Sequence, residues 1–334
     1  MNSSTYPQFP ANGAKLERRT NTLPRNLLLL LMVQVVLAFV IYTYQRNAQP
    51  QAEAKALADF NFQKIDKWLI SDASNQVTLI KSGANWQLPD LHQLPVDAEK
   101  LEGLVEKLKG TKLTWPVATT ESSHERFDVA ENKFQRRLEF FEGDKKAGEI
   151  FLGTSPGFKK VHLRRAGDKD VYAVELSTFE FATVTKDWLD AQLLTVKQPL
   201  QIRAADYFVQ QDGDNWRFVD DAEAKVDKAK ITPVVDAITG FSVQEVATSK
   251  PEGESTHLTV RTAVAEWQYE FIKSGENYYV KRNDREQYFK ISSVDYERIV
   301  QPKKQDLIAT TEPNPVEDVV SQTLNNNVLN ATSN

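Results

Sequence analysis

The stretches "SGANWQLP" at residues 82–89 and "DGDNWRF" at residues 212–218 share the sequence Gly-x-Asn-Trp. When the chain is aligned with itself at an offset of 130 residues, the match continues without a gap to Leu113 and Val243. Such self-similarity indicates that one structural unit occurs twice. The sequence therefore predicts two tandem copies.

Each copy contains a predicted helix. Asp97 and Asp227 have the residue type that caps helix N-termini, and Gly110 and Gly240 suit the left-handed position after a helix. Between these signals the apolar residues fall at i, i+3, i+4 and i+7, as on the buried face of a helix.

Strands surround each predicted helix. "VTLIKSGANWQL" and "YFVQQDGDNWRF" predict hairpins with a Gly-containing turn and a Trp on the second strand, which we expect to pack on the helix. The segments after each helix alternate and predict an antiparallel meander. The expected class is α+β, with copies at 61–192 and 193–302 and a junction near 189–199. The sequence leaves open whether the copies form separate domains or one continuous sheet.

A charge-free run of eighteen residues, Leu27–Tyr44, predicts a transmembrane helix within 25–46. The basic residues before it favour a cytoplasmic N-terminus and a periplasmic or extracytoplasmic body. The alternative is a signal peptide cleaved near Ala52-Glu53-Ala54. We expect a disordered tail at 1–24, a spacer at 47–60 that holds the body off the membrane, and a disordered tail at 303–334.

Composition excludes several classes of protein. The chain of 334 residues has no cysteine, so it has no disulfide and no thiolate site. Its net charge is −5; residues 1–26 contribute +3, from four basic residues against Glu17, so the remainder carries −5 − 3 = −8. An acidic body argues against a nucleic-acid partner.

Catalytic signals are weak. Gly153–Gly157 fits the G-x-S-x-G pattern of a nucleophile elbow, but a strand and not a helix follows, and Pro156 lacks the N–H that an oxyanion hole would use. We interpret it as a β-turn. The four histidines show no metal-ligand spacing. The tryptophans could form a ligand cage, but aromatic residues at equivalent positions of a repeat are typical of a core. We therefore expect no catalytic residues, no metal and no cofactor.

One strand carries the candidate binding residues. In "FKKVHLRR", alternation places Lys160, His162 and Arg164 on the face opposite Val161 and Leu163. Such a row of cations could bind anionic lipid headgroups or an acidic partner. A merely solvated strand face is the alternative.

The W-then-helix unit and the segment "GEIFLGTSPGFKKVHLRRAGDKDVYAVEL" resemble domain-of-unknown-function family 4340, over roughly residues 25–300. The most specific matches are Leu152-Gly153 and Val171–Val174. "ERFDVAENKF" replaces the family's usual stretch after the helix. The resemblance implies a bacterial single-pass envelope protein, of a kind often encoded beside gliding-motility-type ABC-2 transporters.

These observations lead to a functional expectation. We expect a non-enzymatic domain, anchored in the bacterial inner membrane through residues 27–44, that binds protein partners as an accessory of an ABC-type envelope transport complex. The alternative is a binding module for anionic envelope lipid or glycan. An uncharacterised hydrolase is the third possibility, and the small-molecule ligand and the oligomeric state stay open.

Overall fold

A computed structural model describes residues 23–48 and 54–310, the side chains from 27–43 and 54–310. The chain divides into two units, and the boundary between them falls between Ala54 and Lys55. Of the disordered tails predicted at 1–24 and 303–334, residues 1–22 and 311–334 lie outside the described residues, as do residues 49–53 of the predicted spacer. The prediction of disorder is wrong for the rest, because one helix begins at Leu23 and Lys304–Leu307 form another.

The N-terminal unit contains one helix, α1 (Leu23–Ala48). Its apolar side chains from Leu27 to Tyr42 are exposed, each to between 47% and 65%. Within the described part of the chain, no helix reaches the combination of length and apolarity that a membrane span requires.

The rest of the described chain is α+β, with mainly antiparallel sheets. Its first half has helices α2 (Ala98–Gly110) and α3 (Ser123–Arg126). The strands of this half are β1 (Lys55–Ala56), β2 (Lys67–Ser71), β3 (Gln76–Ser82), β4 (Asn85–Leu88), β5 (Leu94–Pro95), β6 (Lys112–Leu113), β7 (Pro116–Ala118), β8 (Val129–Ala130), β9 (Lys133–Phe134), β10 (Arg136–Glu142), β11 (Lys145–Leu152), β12 (Val161–Arg165) and β13 (Val171–Val174).

The second half has helices α4 (Lys228–Gly240), α5 (Ser293–Val300) and α6 (Lys304–Leu307). Its strands are β14 (Gln201–Arg203), β15 (Phe208–Asp212), β16 (Asn215–Phe218), β17 (Val243–Val246), β18 (Glu254–Arg261), β19 (Glu266–Ser274), β20 (Asn277–Arg282) and β21 (Phe289–Ile291). Short 3₁₀ turns lie at Phe62–Lys64, Pro89–Leu91, Thr178–Glu180 and Thr185–Trp188.

Each half contains one large sheet. The first has the order β5-β4-β3-β2-β10-β11-β12-β13-β7, and the second has the order β16-β15-β14-β18-β19-β20-β21-β17. Two small ladders, β1 with β6 and β8 with β9, complete the first half. The two large sheets are separate, but the buried residues of both halves belong to one contiguous main core. The two halves therefore do not form one continuous sheet.

The predicted helix starts are confirmed. Asp97 Oδ1 accepts from Lys100 N at 2.9 Å, and Asp227 Oδ1 accepts from Ala229 N at 2.9 Å. Each bond satisfies an N–H group that the first turn leaves free. Leu101, Leu104 and Leu108 of α2 then enter the core.

The predicted helix ends are wrong in detail. Gly110 and Gly240 are the last helical residues and do not adopt the left-handed conformation. The chain leaves each helix through an extended residue, Thr111 or Phe241, whose N–H bonds back to the last turn. Extended exits lead directly into β6 and β17, so no left-handed residue is needed.

Two boundaries in the structure also differ from the predicted ones. The spacer to residue 60 is too long, because Leu57 is buried and Lys55–Ala56 pair with β6. The second unit does not end at 302, because Leu307 is buried and Asp227 N donates to its carbonyl at 2.8 Å. Both segments have a polar composition, but each carries one leucine that fills the core.

The connection between the halves is buried. Tyr269 Oη donates to Leu194 O at 2.6 Å, and Arg282 Nη2 donates to Leu193 O at 3.0 Å. Arg282 Nη1 also reaches Thr195 O at 3.3 Å, while its Nε pairs with Asp284 at 2.6 Å. The linker backbone is therefore held by side chains of the second sheet.

Candidate functional site

Strand β12 separates the three predicted binding residues. Val161 and Leu163 point into the main core, while His162 and Arg164 are buried against a second, smaller hydrophobic cluster on the opposite side. Lys160, just before the strand, is exposed. The expectation of one open cationic face is therefore wrong for two of the three residues.

The cover over these two residues comes from the segment 116–134, which contains β7, α3, β8 and β9. Arg164 donates from Nε to Val129 O at 2.7 Å, and its guanidinium lies 4.6 Å from the Phe151 ring centroid. His162 is within 4.2 Å of the Phe127 ring, centroid to centroid. Alternation specifies the face of a strand, but it does not show that another segment covers that face.

Burial favours the neutral form of His162. Desolvation lowers the pKa of His162 below its usual value of 6.5, with the nearby Arg126 acting in the same direction. The ring is therefore neutral at pH 7, and Nδ1 lies 2.9 Å from Thr154 Oγ1. This residue acts as a packed, hydrogen-bonded core histidine.

Lys160 belongs to a different feature, a groove of about 420 Å³ between the end of α2 and β13. Lys107, Lys112 and Lys160 line it together with Glu175. We call it the lysine groove. Lys107 Nζ donates to Glu180, and both Lys112 and Lys160 are exposed. Sequence reasoning missed Lys107 and Lys112, because only the fold brings them next to β12.

Three exposed aromatic residues lie close in sequence to residues of the groove or to their ion-pair partners. Phe158 is 87% exposed and shares the turn Gly157–Lys160 with Lys160. Phe179 is 89% exposed and precedes Glu180, the partner of Lys107. Trp115, 56% exposed, follows Lys112 by three residues.

We call these aromatic residues and the lysine groove together the lysine–aromatic surface. Large aromatic side chains in water cost free energy that burial against a partner recovers. Lysines beside them favour a partner that carries negative charge. The sequence did hold a signal for Phe158, since a turn between two strands rarely needs a phenylalanine.

Ser155 lies just before this turn and bonds to its first residue. Ser155 Oγ donates to Gly157 O at 2.7 Å, within the loop that joins β11 to β12. A strand, β12, follows that loop as predicted, but the β-turn itself lies at Gly157–Lys160 and not over Gly153–Gly157. Elsewhere, the described residues contain no group of three or more His, Asp or Glu side chains placed to hold a metal ion.

These features define the class of the molecule as an α+β domain with mainly antiparallel sheets. Comparison with known families gives a match to the family described as "Domain of unknown function (DUF4340)" over residues 86–260. The chain belongs to this family, and the resemblance seen in the sequence is confirmed. No curated protein and no solved structure matches the chain.

Proposed function

We propose that this protein is a membrane-anchored extracytoplasmic domain that acts by binding protein partners, as an accessory of an ABC-type envelope transport complex. The observation that carries the binding role is the lysine–aromatic surface, where Phe158 and Phe179 expose nearly their whole side chains. Aromatic residues are the residue type that most often anchors protein interfaces. The transporter as partner rests on the gene neighbourhood implied by the family resemblance.

The membrane anchor in this proposal is α1. It rests on the charge-free sequence run Leu27–Tyr44 and on the exposure of the described apolar side chains around the helix. An apolar helix surface of this kind needs a lipid or protein cover. The basic residues that precede the run favour the inner membrane with the N-terminus in the cytoplasm.

We further propose that the two halves of the body arose by duplication. Both hairpins that carry Trp86 and Trp216 sit at the same end of their sheets, and both helices follow at the same offset. The closing contacts also correspond: Val96 bridges Leu189, and Val226 bridges Ile308. These parallels support two tandem units of hairpin, helix and meander.

Photo-crosslinking in native membranes tests the partner. The full-length chain would carry p-benzoylphenylalanine in place of Phe158 or Phe179, in a strain that expresses its neighbouring transporter. We expect adducts that contain transporter subunits. Val264 is the matched control, because it is 94% exposed but lies in the turn between β18 and β19.

Two results would contradict the proposal. One is the absence of any transporter subunit from the adducts at both aromatic positions. The other is an identical set of adducts from the Val264 position. The anchor is tested separately, because alkaline carbonate should leave an anchored chain in the membrane pellet and release a peripheral one.

An anionic lipid surface is the second candidate ligand, and the turn Gly157–Lys160 specifically favours it. Lys159 Nζ lies 5.2 Å from the Phe158 ring centroid, so this turn presents an aromatic tip beside two ammonium groups. Such a combination suits the interface of an anionic membrane. The test compares hydrogen exchange of the chain reconstituted in neutral nanodiscs and in anionic nanodiscs. Exchange of residues 155–160 should slow only in the anionic discs. The double variant Lys159→Glu with Lys160→Glu should exchange equally in both.

A further inference from the structure

A second cavity, of about 510 Å³, lies on the first half where its hairpin and helix meet a turn of the second half. Its volume falls within the range of about 300–1,000 Å³ typical of small-molecule sites. The side chains that matter for its chemistry come from separate segments of the chain: Lys81, Trp86, Gln93, Glu102, Asp190 and Arg285. No residue of the lysine–aromatic surface lines it, so the two features are independent.

Trp86 gives the cavity an aromatic wall. It is half-buried and packs on the core, with its ring 6.4 Å from the fully buried Trp68 in an edge-on arrangement. Among the side-chain hydrogen bonds of the described residues, none uses the Trp86 indole N–H, whereas that of Trp188 donates to Ala182 O at 2.9 Å. Trp86 therefore offers an apolar ring with a free donor at its edge.

An amide side chain, that of Gln93 in the loop after β4, also lines the cavity. Asn85 and Gln87, the neighbours of Trp86 on β4, alternate to the opposite face of the sheet. His92 and Gln93 both adopt left-handed backbone conformations, with φ of 53° and 62°. Two successive non-glycine residues in this region are strained, which commonly occurs at ligand sites.

The charges of the cavity balance. Glu102 and Asp190 supply two carboxylates, and Lys81 and Arg285 supply two cations. Arg285 Nε lies 3.4 Å from Asp284 Oδ2 but is buried without a hydrogen-bond partner, and neither terminal nitrogen of Arg285 makes a hydrogen bond among the described residues. A balanced set of this kind gives no net attraction for an anion or a cation, and its many polar groups would stay unpaired against an apolar ligand.

We propose that this cavity binds a neutral saccharide. A sugar ring has an apolar face that stacks on an indole, and hydroxyl groups that both donate and accept hydrogen bonds. An amide, two carboxylates, an ammonium group and a guanidinium beside one tryptophan match these groups without requiring ligand charge.

Titration calorimetry on the full-length chain tests the assignment. The chain would be held in nanodiscs, because glycoside detergents would compete for the site. The probes are maltotriose and tri-N-acetylchitotriose as neutral trisaccharides, with trigalacturonate as the anionic comparison. At least one neutral probe should bind, and Trp86→Ala should weaken it about tenfold.

Trp216→Ala is the matched control, because Trp216 is the tryptophan at the same offset and does not line the cavity. It should leave the affinity unchanged. Gln93→Ala removes an exposed side chain and should also weaken binding, so it keeps the test valid if Trp86→Ala does not fold. The proposal is overturned if neither neutral probe binds, if trigalacturonate binds as well, or if both tryptophan variants weaken binding equally. Crosslinking from Phe158 tests the lysine–aromatic surface, so its result does not depend on whether the cavity binds a saccharide.

Discussion

Asp72 provides the sharpest prediction of the structure, because it links the first hairpin to a distant loop through one carboxylate. Its Oδ1 accepts from Ser74 N and Asn75 N at 2.8 Å, and its Oδ2 accepts from Thr183 Oγ1 at 2.5 Å. Arg136 Nη1 lies 3.8 Å from Oδ2. Desolvation raises the pKa of Asp72, but the hydrogen bonds and Arg136 outweigh it and lower this pKa from 3.8 to about 2.

This shift predicts the size and sign of a pH effect. A difference of nearly two pKa units corresponds to about 2 kcal/mol in the free energy of unfolding. Because the pKa is depressed in the folded state, that stabilisation is complete above the unfolded pKa. It is lost as the pH falls from about 5 through about 2.

The variant Asp72→Asn should therefore be less stable than the wild type by about 1–2 kcal/mol at pH 7, and the difference should vanish near pH 2. Urea unfolding followed by tryptophan fluorescence at pH 7, 5, 3 and 2 measures it. Asp144→Asn, in the exposed turn after β10, is the control and should show no such trend. A wild-type–variant difference that is the same at pH 7 and pH 2 would refute the reasoning.

Three further predictions concern folding. Gly153→Ala should destabilise the chain by more than about 2 kcal/mol in thermal or urea unfolding, because a Cβ there would clash with the carbonyl oxygens of Phe127 and Asp128. Gly157→Ala in the same loop is the control; its Cβ would meet no neighbour, so its effect on stability should be close to zero. Arg282→Met should cost about 3 kcal/mol in the same assay, since it frees the linker carbonyls and leaves Asp284 with only its longer contact to Arg285; a loss below about 1 kcal/mol would contradict this. Phe158→Ser should change stability by less than about 0.5 kcal/mol, because its side chain is 87% exposed, and a larger loss by calorimetry would mean that it serves folding rather than binding.

Features that depend on neighbouring residues could be predicted from the sequence. Asp97 and Asp227 cap their helices through bonds to residues two or three positions later, so the local pattern sufficed. The hairpin turns were equally local, since Gly83 and Gly213 adopt positive φ values of 61° and 60°. The α+β class followed from these local elements.

Features that depend on distant residues could not be predicted. The burial of His162 and Arg164 depends on the segment 116–134, whose packing on the far side of the sheet leaves no mark on β12 itself. The Trp86 cavity needs Arg285 from the other half of the chain. Periodicity reports which face of a strand is apolar, and it carries no information about what lies opposite.

The connection between the halves has a consequence for how the molecule melts. Leu194 is fully buried, and its carbonyl accepts a hydrogen bond from Tyr269. The linker is therefore part of the shared core and does not act as a hinge. Separating the halves would expose apolar side chains of both halves to water at the same time. The body should therefore show one calorimetric transition, and either half expressed alone should be prone to aggregate.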